Sequence, residues 1–192
     1  MGQTATGSAE RPYGRFFLPG PTEVHPDLLQ AQTRPMVSHR GPESQAFMRA
    51  LQAGLETVFV TERPVFISTS VATGLMEAAV RNAGRTRILS LVNGAFSQRF
   101  ADIARACGLE VDVVEVPWGE AHDPEQVRTA LESESYDAVT MAHSETSTGV
   151  LNDVRALTEA VRDFDDTLVL VDSVSGFGAT ELRPDEWGTT SC

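Results

Sequence analysis

The chain of 192 residues contains 15 basic and 27 acidic residues, which give a formal net charge of −12 at pH 7 with the four histidines neutral. This acidic balance argues against nucleic acid or an anionic membrane as partner, because both recognise basic patches. With 41% apolar and 22% charged residues the composition is that of a globular protein, and no apolar run reaches the roughly 18 residues that a membrane span requires.

The chain divides by composition into three segments. Residues 1–15 are small and polar and predict a disordered tail. Residues 16–42 contain the Pro- and Gly-bearing stretches Pro19–Thr22 and His39–Pro42 and predict an irregular arm on the surface or across a partner. Regular apolar patterns start at residue 43, so residues 43–192 are predicted to form one domain.

Within that domain, short apolar runs rich in β-branched residues predict buried strands, and apolar residues with a period of about 3.6 predict helices. In chain order the predicted elements are helix Glu43–Phe59, strand Val65–Ser70, helix Thr73–Ala83, strand Arg87–Asn93, helix Phe96–Cys107, strand Leu109–Pro117, helix Asp123–Leu131, strand Asp137–His143, helix Asn152–Phe164 and strand Thr167–Val174. This alternation predicts an α/β fold with a mostly parallel, doubly wound sheet and helices on both faces.

The two cysteines, Cys107 and Cys192, have neither CxxC spacing nor neighbours of metal-ligand type. This usage is typical of a reducing, cytoplasmic protein and predicts no metal site. No secretory signal is visible in the first ten residues, which lack both a basic start and an apolar core.

In parallel sheets, ligands bind where strands end and the next helices begin. Four such junctions carry candidate chemistry. Small residues over 68–74 suit an anion at a helix start, although an ordinary Ser/Thr cap explains them equally. Phe96 suits ring stacking or simple core packing, the polar loop 142–149 suits ligand contacts or turns, and Asp172 needs a partner because it ends an apolar strand.

Six landmarks, in order, resemble the class V pyridoxal-phosphate (PLP) aminotransferases of the alanine–glyoxylate and serine–glyoxylate type. They are FLPGPTEV (Phe17–Val24), SHRGPE (Ser38–Glu43), VATGLMEAAVRN (Val71–Asn82), NGAFSQR (Asn93–Arg99), HSETSTGV (His143–Val150) and VDSVSGFG (Val171–Gly178). The resemblance covers about residues 16–188. It implies the large domain of PLP-transferase fold type I, and an enzyme that moves an amino group from a small amino acid to a 2-oxo acid such as glyoxylate or pyruvate.

The resemblance also implies residue roles at the two ends of the cofactor. Ala72, Thr73 and Gly74 would hold its phosphate at a helix start. Gly20 and Arg40 of the arm would lie near the substrate. Family members are usually homodimers with the active site at the subunit interface, so the resemblance implies a homodimer for the full-length form.

Around the pyridine ring, the resemblance assigns four further residues. Phe96 and Val174 would pack on opposite ring faces, and Thr146 would reach the phenolic oxygen. Asp172 would pair with the protonated ring nitrogen, which keeps the ring an electron sink.

Two departures separate the chain from the family pattern. Val71 stands where many relatives carry Ser or Thr. More seriously, all 15 basic residues are arginine, so the Schiff-base lysine of the family's S-x-K motif is missing and no catalytic residue can be named. We therefore expect an inactive fragment whose sheet is incomplete at the C-terminus, without the small C-terminal domain. In the family fold, two strands beyond residue 192 would separate Val65–Ser70 from the strand of Asp172.

Three alternatives remain. A cysteine desulfurase-like lyase has the same fold, although HSETSTG and DSVSGFG favour the aminotransferase pattern. A non-catalytic binding or dimerisation module agrees with the absent lysine, but a module is expected to cap its sheet, and the ending Thr-Thr-Ser-Cys predicts no cap. A Rossmann dehydrogenase lacks its Gly-rich fingerprint.

Overall fold

The structure, a computed structural model, describes Gly14 and residues 16–190, so the predicted tail falls almost wholly outside the described residues. The elements in chain order are α1 (Pro26–Ala31), α2 (Pro42–Phe59), α3 (Ala72–Ala83), β1 (Arg87–Val92), α4 (Ala95–Ala106), β2 (Glu110–Glu115), α5 (Pro124–Ser133), β3 (Ala138–Ala142), β4 (Ser144–Glu145), β5 (Val150–Leu151), α6 (Val154–Val161), β6 (Leu168–Asp172) and α7 (Pro184–Trp187). Two compact units divide between Ala46 and Phe47, and the strands all lie in the second. No helix within the described residues combines the length and apolar character needed to cross a membrane.

Four parallel strands form the main sheet in the order β2-β1-β3-β6. Ile88 of β1 lies opposite Val111 of β2 on one side and Ala138 of β3 on the other. On the far side of β3, Ala142 lies opposite Asp172 at the end of β6. Helices α4, α5 and α6 connect successive strands of this sheet, so the predicted parallel α/β arrangement is confirmed.

Alternate strand residues face opposite sides of the sheet, and each side has its own buried core. One core joins the sheet to α5, α6 and α7; its members include Leu89, Val139, Val169, Val127, Leu157 and Trp187. The other joins the sheet to α3 and α4; its members include Ile88, Ala138, Leu170, Val80, Phe100 and Ala104. Burial of each large apolar side chain contributes roughly 1.5–3 kcal/mol. Helices therefore cover both faces, as predicted.

The strand predicted at Val65–Ser70 is wrong, because this segment is irregular and belongs to no sheet. An apolar run becomes a strand only where a neighbour accepts and donates its ladder hydrogen bonds. No strand of the described residues pairs with it, and Phe66 and Ile67 are 88% and 53% exposed. The resemblance had implied that these neighbours would be missing.

Three short elements were not predicted from the sequence. The segment interpreted as an irregular arm contains the six-residue helix α1, which begins at Pro26. The loop after β3 forms the antiparallel hairpin β4–β5, and α7 is a four-residue helix. Elements of two to six residues are too short for a periodic pattern to show.

A polar clasp joins the end of α2 to α7. The Asp185 carboxylate accepts hydrogen bonds from the Thr61 hydroxyl and the Glu62 amide, both at 2.8 Å. Arg63 forms an ion pair with Asp185 at 3.1 Å and donates to the Thr189 carbonyl at 2.8 Å. The chain just after α2 is thereby tied to residues near the end of the described structure.

Thr190 caps part of the outer edge of β6. Its amide donates to the Val169 carbonyl at 2.8 Å, and the Val169 amide donates to its hydroxyl at 3.2 Å. The expectation that the last residues leave this edge uncapped is therefore wrong at Val169. A hydroxyl beside its own amide can satisfy both polar groups of one strand residue.

Candidate cofactor site

The candidate site lies at the carboxyl-end edge of the sheet. Asn93 follows β1, His143 follows β3, and Asp172 ends β6. Because parallel strands end at the same edge, these residues and the loops after them are neighbours. The His143 amide donates to the Asp172 carbonyl at 2.8 Å, which extends the β3–β6 ladder to the edge.

Asp172 is a half-buried carboxylate at the end of β6. Its Oδ1 accepts a hydrogen bond from the Val174 amide at 3.0 Å, and no ion pair within 4 Å joins it to another described residue. Burial raises the pKa of Asp172, and the negative charge of Glu145 adds to that effect, while the Val174 amide and Arg99 oppose it. A carboxylate in this state has an unmet demand for a positive partner.

The start of α3 brings backbone amide groups together without a side-chain cap. Val71 is the N-cap residue and makes no side-chain hydrogen bond, and the Gly74 amide donates to the Val71 carbonyl at 2.9 Å. A Cβ on Gly74 would lie 2.6 Å from the Ser70 hydroxyl oxygen, so a larger residue there would require the Ser70 side chain to move. Ala72 and Thr73 occupy the first helical positions, where amide groups have no acceptor within the helix. This arrangement suits an anion.

Phe96 is the second residue of α4 and is partly buried. The Arg99 guanidinium carbon lies 5.2 Å from the centre of its ring, within the range of a cation–π contact. Sequence reasoning did not single out Arg99. Its spacing of three residues from Phe96 on one helix was the available signal.

Thr146 and Val174 come from two different loops. The Thr146 hydroxyl is hydrogen-bonded to the Ser175 hydroxyl, which ties the β4–β5 hairpin to the loop after β6. Val174 is 67% exposed, and its backbone contacts the Asp172 carboxylate. The structure therefore brings Thr146, Asp172 and Val174 together.

Glu145 is a functional candidate that sequence reasoning missed. Although fully buried, it has no basic partner among the described residues; the Phe96 and Ser97 amides donate to its carboxylate at 3.1 and 2.8 Å. The Ser97 and Ser147 hydroxyls donate to it at 2.9 and 2.7 Å. Burial would raise the pKa of Glu145, but these hydrogen bonds outweigh it and hold the pKa below its ordinary value. A carboxylate in a polar loop between two strand ends was the only sequence signal.

His143 is a buried polar residue that joins the loops after β3 and β6. His143 Nδ1 lies 3.0 Å from the Ser173 hydroxyl, and Nε2 lies 3.3 Å from the Thr180 hydroxyl. Burial lowers the pKa of His143. A Cβ on Gly176 would lie 2.7 Å from Nδ1, so glycine is needed beside the ring. The neutral imidazole thus locks the loop after β3 to the loop after β6.

Gly20 and Arg40 lie in the first compact unit, and both are exposed. Their assignment to the substrate stays a prediction. The second unit also contains a recess of about 250 Å³, lined by Val58, Val60 and residues 177–183. None of the predicted cofactor residues lines this recess, so the recess is separate from the candidate site at the strand ends.

Comparisons with known proteins identify the family of the chain. The chain matches the family model of the class-V aminotransferases over residues 26–189. It is 35% identical to the L-aspartate–glyoxylate aminotransferase of Paracoccus denitrificans, covering 90% of this chain and 46% of that protein. It is 32% identical to the serine–glyoxylate aminotransferase of Methylorubrum extorquens, covering 94% of this chain and 47% of that protein.

Among solved structures, an alanine–glyoxylate aminotransferase from Nostoc superposes with a TM-score of 0.85 at 36% identity, covering 91% of this chain and 48% of that one. The chain spans about half the length of these relatives. The family match, the identities and the shared parallel sheet together confirm the resemblance found in the sequence. The chain belongs to the class-V aminotransferase family and has the large-domain fold of the PLP-dependent transferases.

Proposed function

We propose that the residues at the strand ends and at the start of α3 form the PLP-binding surface of an aminotransferase. This enzyme would move an amino group from a small amino acid, of the alanine, serine or aspartate type, to a 2-oxo acid such as glyoxylate or pyruvate. The observation that carries the proposal is Asp172, a half-buried carboxylate with a raised pKa and no cation at ion-pair distance among the described residues. A protonated pyridine nitrogen would supply the missing positive charge.

The other residues present also fit the cofactor. The uncapped start of α3, with Ala72, Thr73 and the close-packed Gly74, suits the phosphate. Phe96 offers an aromatic face. Val174 offers an exposed apolar one close to Asp172.

The remaining assignments are a residue for the phenolic oxygen of the cofactor and two residues for the substrate. Thr146, held by Ser175, offers a hydroxyl for the phenolic oxygen of the cofactor. Gly20 and Arg40 would contact the substrate, with the guanidinium suited to a carboxylate.

When bound, PLP draws electrons away from the substrate Cα and so makes its proton removable. What this chain contributes is orientation and charge: Asp172 would keep the ring nitrogen protonated by accepting its hydrogen bond. All 15 basic residues are arginine. These residues therefore offer no lysine side chain that could bond to the cofactor or move the Cα proton. We therefore propose that these residues bind PLP non-covalently and do not transaminate by themselves.

Substrate class, assembly and compartment are supported by different observations. The names of the Paracoccus and Methylorubrum relatives point to aspartate or serine as donor and glyoxylate as acceptor. The family resemblance supports a homodimer for the full-length form. Cys107 and Cys192, which lack CxxC spacing, support a reducing cytoplasm.

The test is a titration of the chain with PLP, followed by absorbance and by the circular dichroism that the achiral cofactor gains in an asymmetric site. We expect saturable binding that Asp172→Asn weakens by about 10- to 100-fold, because a hydrogen bond to a charged group is worth about 1.5–3 kcal/mol. The control is Asp166→Asn, an exposed carboxyl outside the site. Equal PLP affinity in both variants and the wild type would exclude the assigned role of Asp172, and absent binding would exclude the proposed function of this chain.

A further inference from the structure

The first three amide groups of α4 are satisfied from the β4–β5 hairpin. In a helix the first amide groups have no acceptor within the helix itself. Here the Ala95 amide donates to the Ser147 hydroxyl at 2.9 Å, and the Phe96 and Ser97 amides donate to Glu145 at 3.1 and 2.8 Å. Two hairpin residues thus satisfy three consecutive amide groups of α4.

The Glu145 carboxylate has little freedom in this position. It is fully buried, and a Cβ on Gly94 would lie 2.4 Å from its Cγ and 2.5 Å from its Cδ. The Ser147 hydroxyl holds Oε1 at 2.7 Å, while the Ser97 amide and hydroxyl hold Oε2. A buried charge held by several donors on both oxygens fixes the groups around it.

Glu145 also stands between two residues of the proposed cofactor site. It binds the backbone of Phe96 directly, and Thr146 is the next residue in the chain. We propose that Glu145 is a positioning residue, which sets the backbone of Phe96 relative to Thr146 so that an aromatic face and a hydroxyl meet the same ligand. The inference rests on the proposed function for the identity of that ligand, but the positioning itself is a property of the chain alone.

The charge of Glu145 has a second effect on the site. It raises the pKa of Asp172, in addition to the effect of burial. A ligand with a positive ring nitrogen relieves this unfavourable interaction, whereas a neutral ligand does not. This charge effect is separate from the positioning, which rests on the hydrogen bonds of Glu145 to Phe96 and Ser97.

Glu145→Gln tests the positioning because it keeps the shape and removes the charge. The glutamine side chain has one acceptor oxygen in place of two. Its NH2 group would face amide or hydroxyl groups that also donate, so those hydrogen bonds would be lost. In wild-type protein, Glu145 accepts from the Phe96 and Ser97 amides, so their hydrogen-exchange rates report on it directly. Without PLP present, we expect both amides to exchange about 10-fold faster or more in Glu145→Gln, from the loss of charge-assisted hydrogen bonds.

The matched control is Glu159→Gln, which neutralises an exposed glutamate on α6 and should leave both exchange rates unchanged. Wild-type exchange of Phe96 and Ser97 in Glu145→Gln would overturn the inference. If Glu145→Gln does not fold, Ser147→Ala decides, because it removes the hydroxyl that holds Oε1 and accepts from the Ala95 amide, while the Phe96 and Ser97 amides keep their carboxylate acceptor. Faster exchange of Phe96 and Ser97 in Ser147→Ala supports the positioning, and unchanged exchange overturns it.

A PLP titration of the same variants separates this inference from the proposed function. We expect Glu145→Gln to bind PLP about 10-fold more weakly and to give a smaller circular dichroism signal per bound cofactor at saturation. A loss of general stability would leave that saturating signal unchanged and would count against positioning. If the wild type does not bind PLP, the proposed function fails, while the exchange rates still decide whether Glu145 positions Phe96.

Discussion

His122 makes the stability of the protein depend on pH. It lies in the loop before α5 and is 5% exposed, and its amide donates to the Asn152 side-chain oxygen at 3.2 Å. Neither ring nitrogen has a hydrogen-bond partner among the described residues. Burial lowers the pKa of His122 to about 4. The folded protein thus holds a neutral imidazole where the unfolded chain would hold a protonated one in mild acid.

The sign and size of the effect follow from linkage. Because the pKa of His122 is lower in the folded state, stability is complete above the unfolded pKa of about 6.5 and falls as the unfolded chain takes up a proton. The loss ends near pH 4, where the folded state also takes up a proton. With these two values the free energy of unfolding falls by about 2 kcal/mol between about pH 7 and about pH 5.

His122→Phe removes this titration and retains a planar ring whose edge needs no hydrogen bond. Urea unfolding at a series of pH values should show a loss of stability between pH 7 and pH 5 that is about 2 kcal/mol smaller in His122→Phe than in the wild type. His39→Phe, which replaces an exposed imidazole by the same side chain, is the control for the substitution itself. Parallel stability curves for His122→Phe and the wild type would refute the reasoning.

Two further predictions concern close packing and capping. Gly94→Ala should destabilise the protein by about 1–3 kcal/mol in urea unfolding, because the added Cβ would lie 2.4 Å from the buried Glu145 Cγ. Gly54→Ala, in a helix with open space around it, should instead match or exceed wild-type stability, and the same sign for both variants would contradict the packing argument. Asp123→Ala should cost about 1 kcal/mol, since the Asp123 side chain accepts from the Glu125 amide at 3.0 Å at the start of α5; an unchanged urea midpoint would show that this cap contributes nothing.

The sheet was largely predictable because β1, β3 and β6 are mostly apolar runs, β2 carries three valines, and helical patterns separate the strands. The helix start at Asp123-Pro124 was predictable for the same local reason, since the cap and the proline are adjacent in sequence. Residues 65–70 show the limit of such patterns. They carry the same apolar signal as the other strands, but strand formation depends on a neighbour that the local sequence does not specify.

The site was predictable only where a residue's type already implied its chemistry. Asp172 at the end of an apolar strand was such a residue, and its need for a partner was foreseen. Glu145 was not, because its partners Phe96 and Ser97 lie 49 and 48 residues earlier and meet it only through the fold. The roles given to the other cofactor residues came from the family resemblance rather than from spacing.

The clasp at Asp185 has a consequence for the order in which the protein folds. Its contacts join Thr61 and Glu62 to a residue 124 and 123 positions later. Contacts of such high sequence separation form slowly, because the chain loses the entropy of closing a long loop before these contacts can stabilise it. During synthesis the chain after α2 must wait for Asp185 to leave the ribosome, while the β1–α4–β2 unit, closed over a short stretch, can assemble well before. The end of α2 is therefore expected to be among the last regions to gain protection from proteases on the nascent chain.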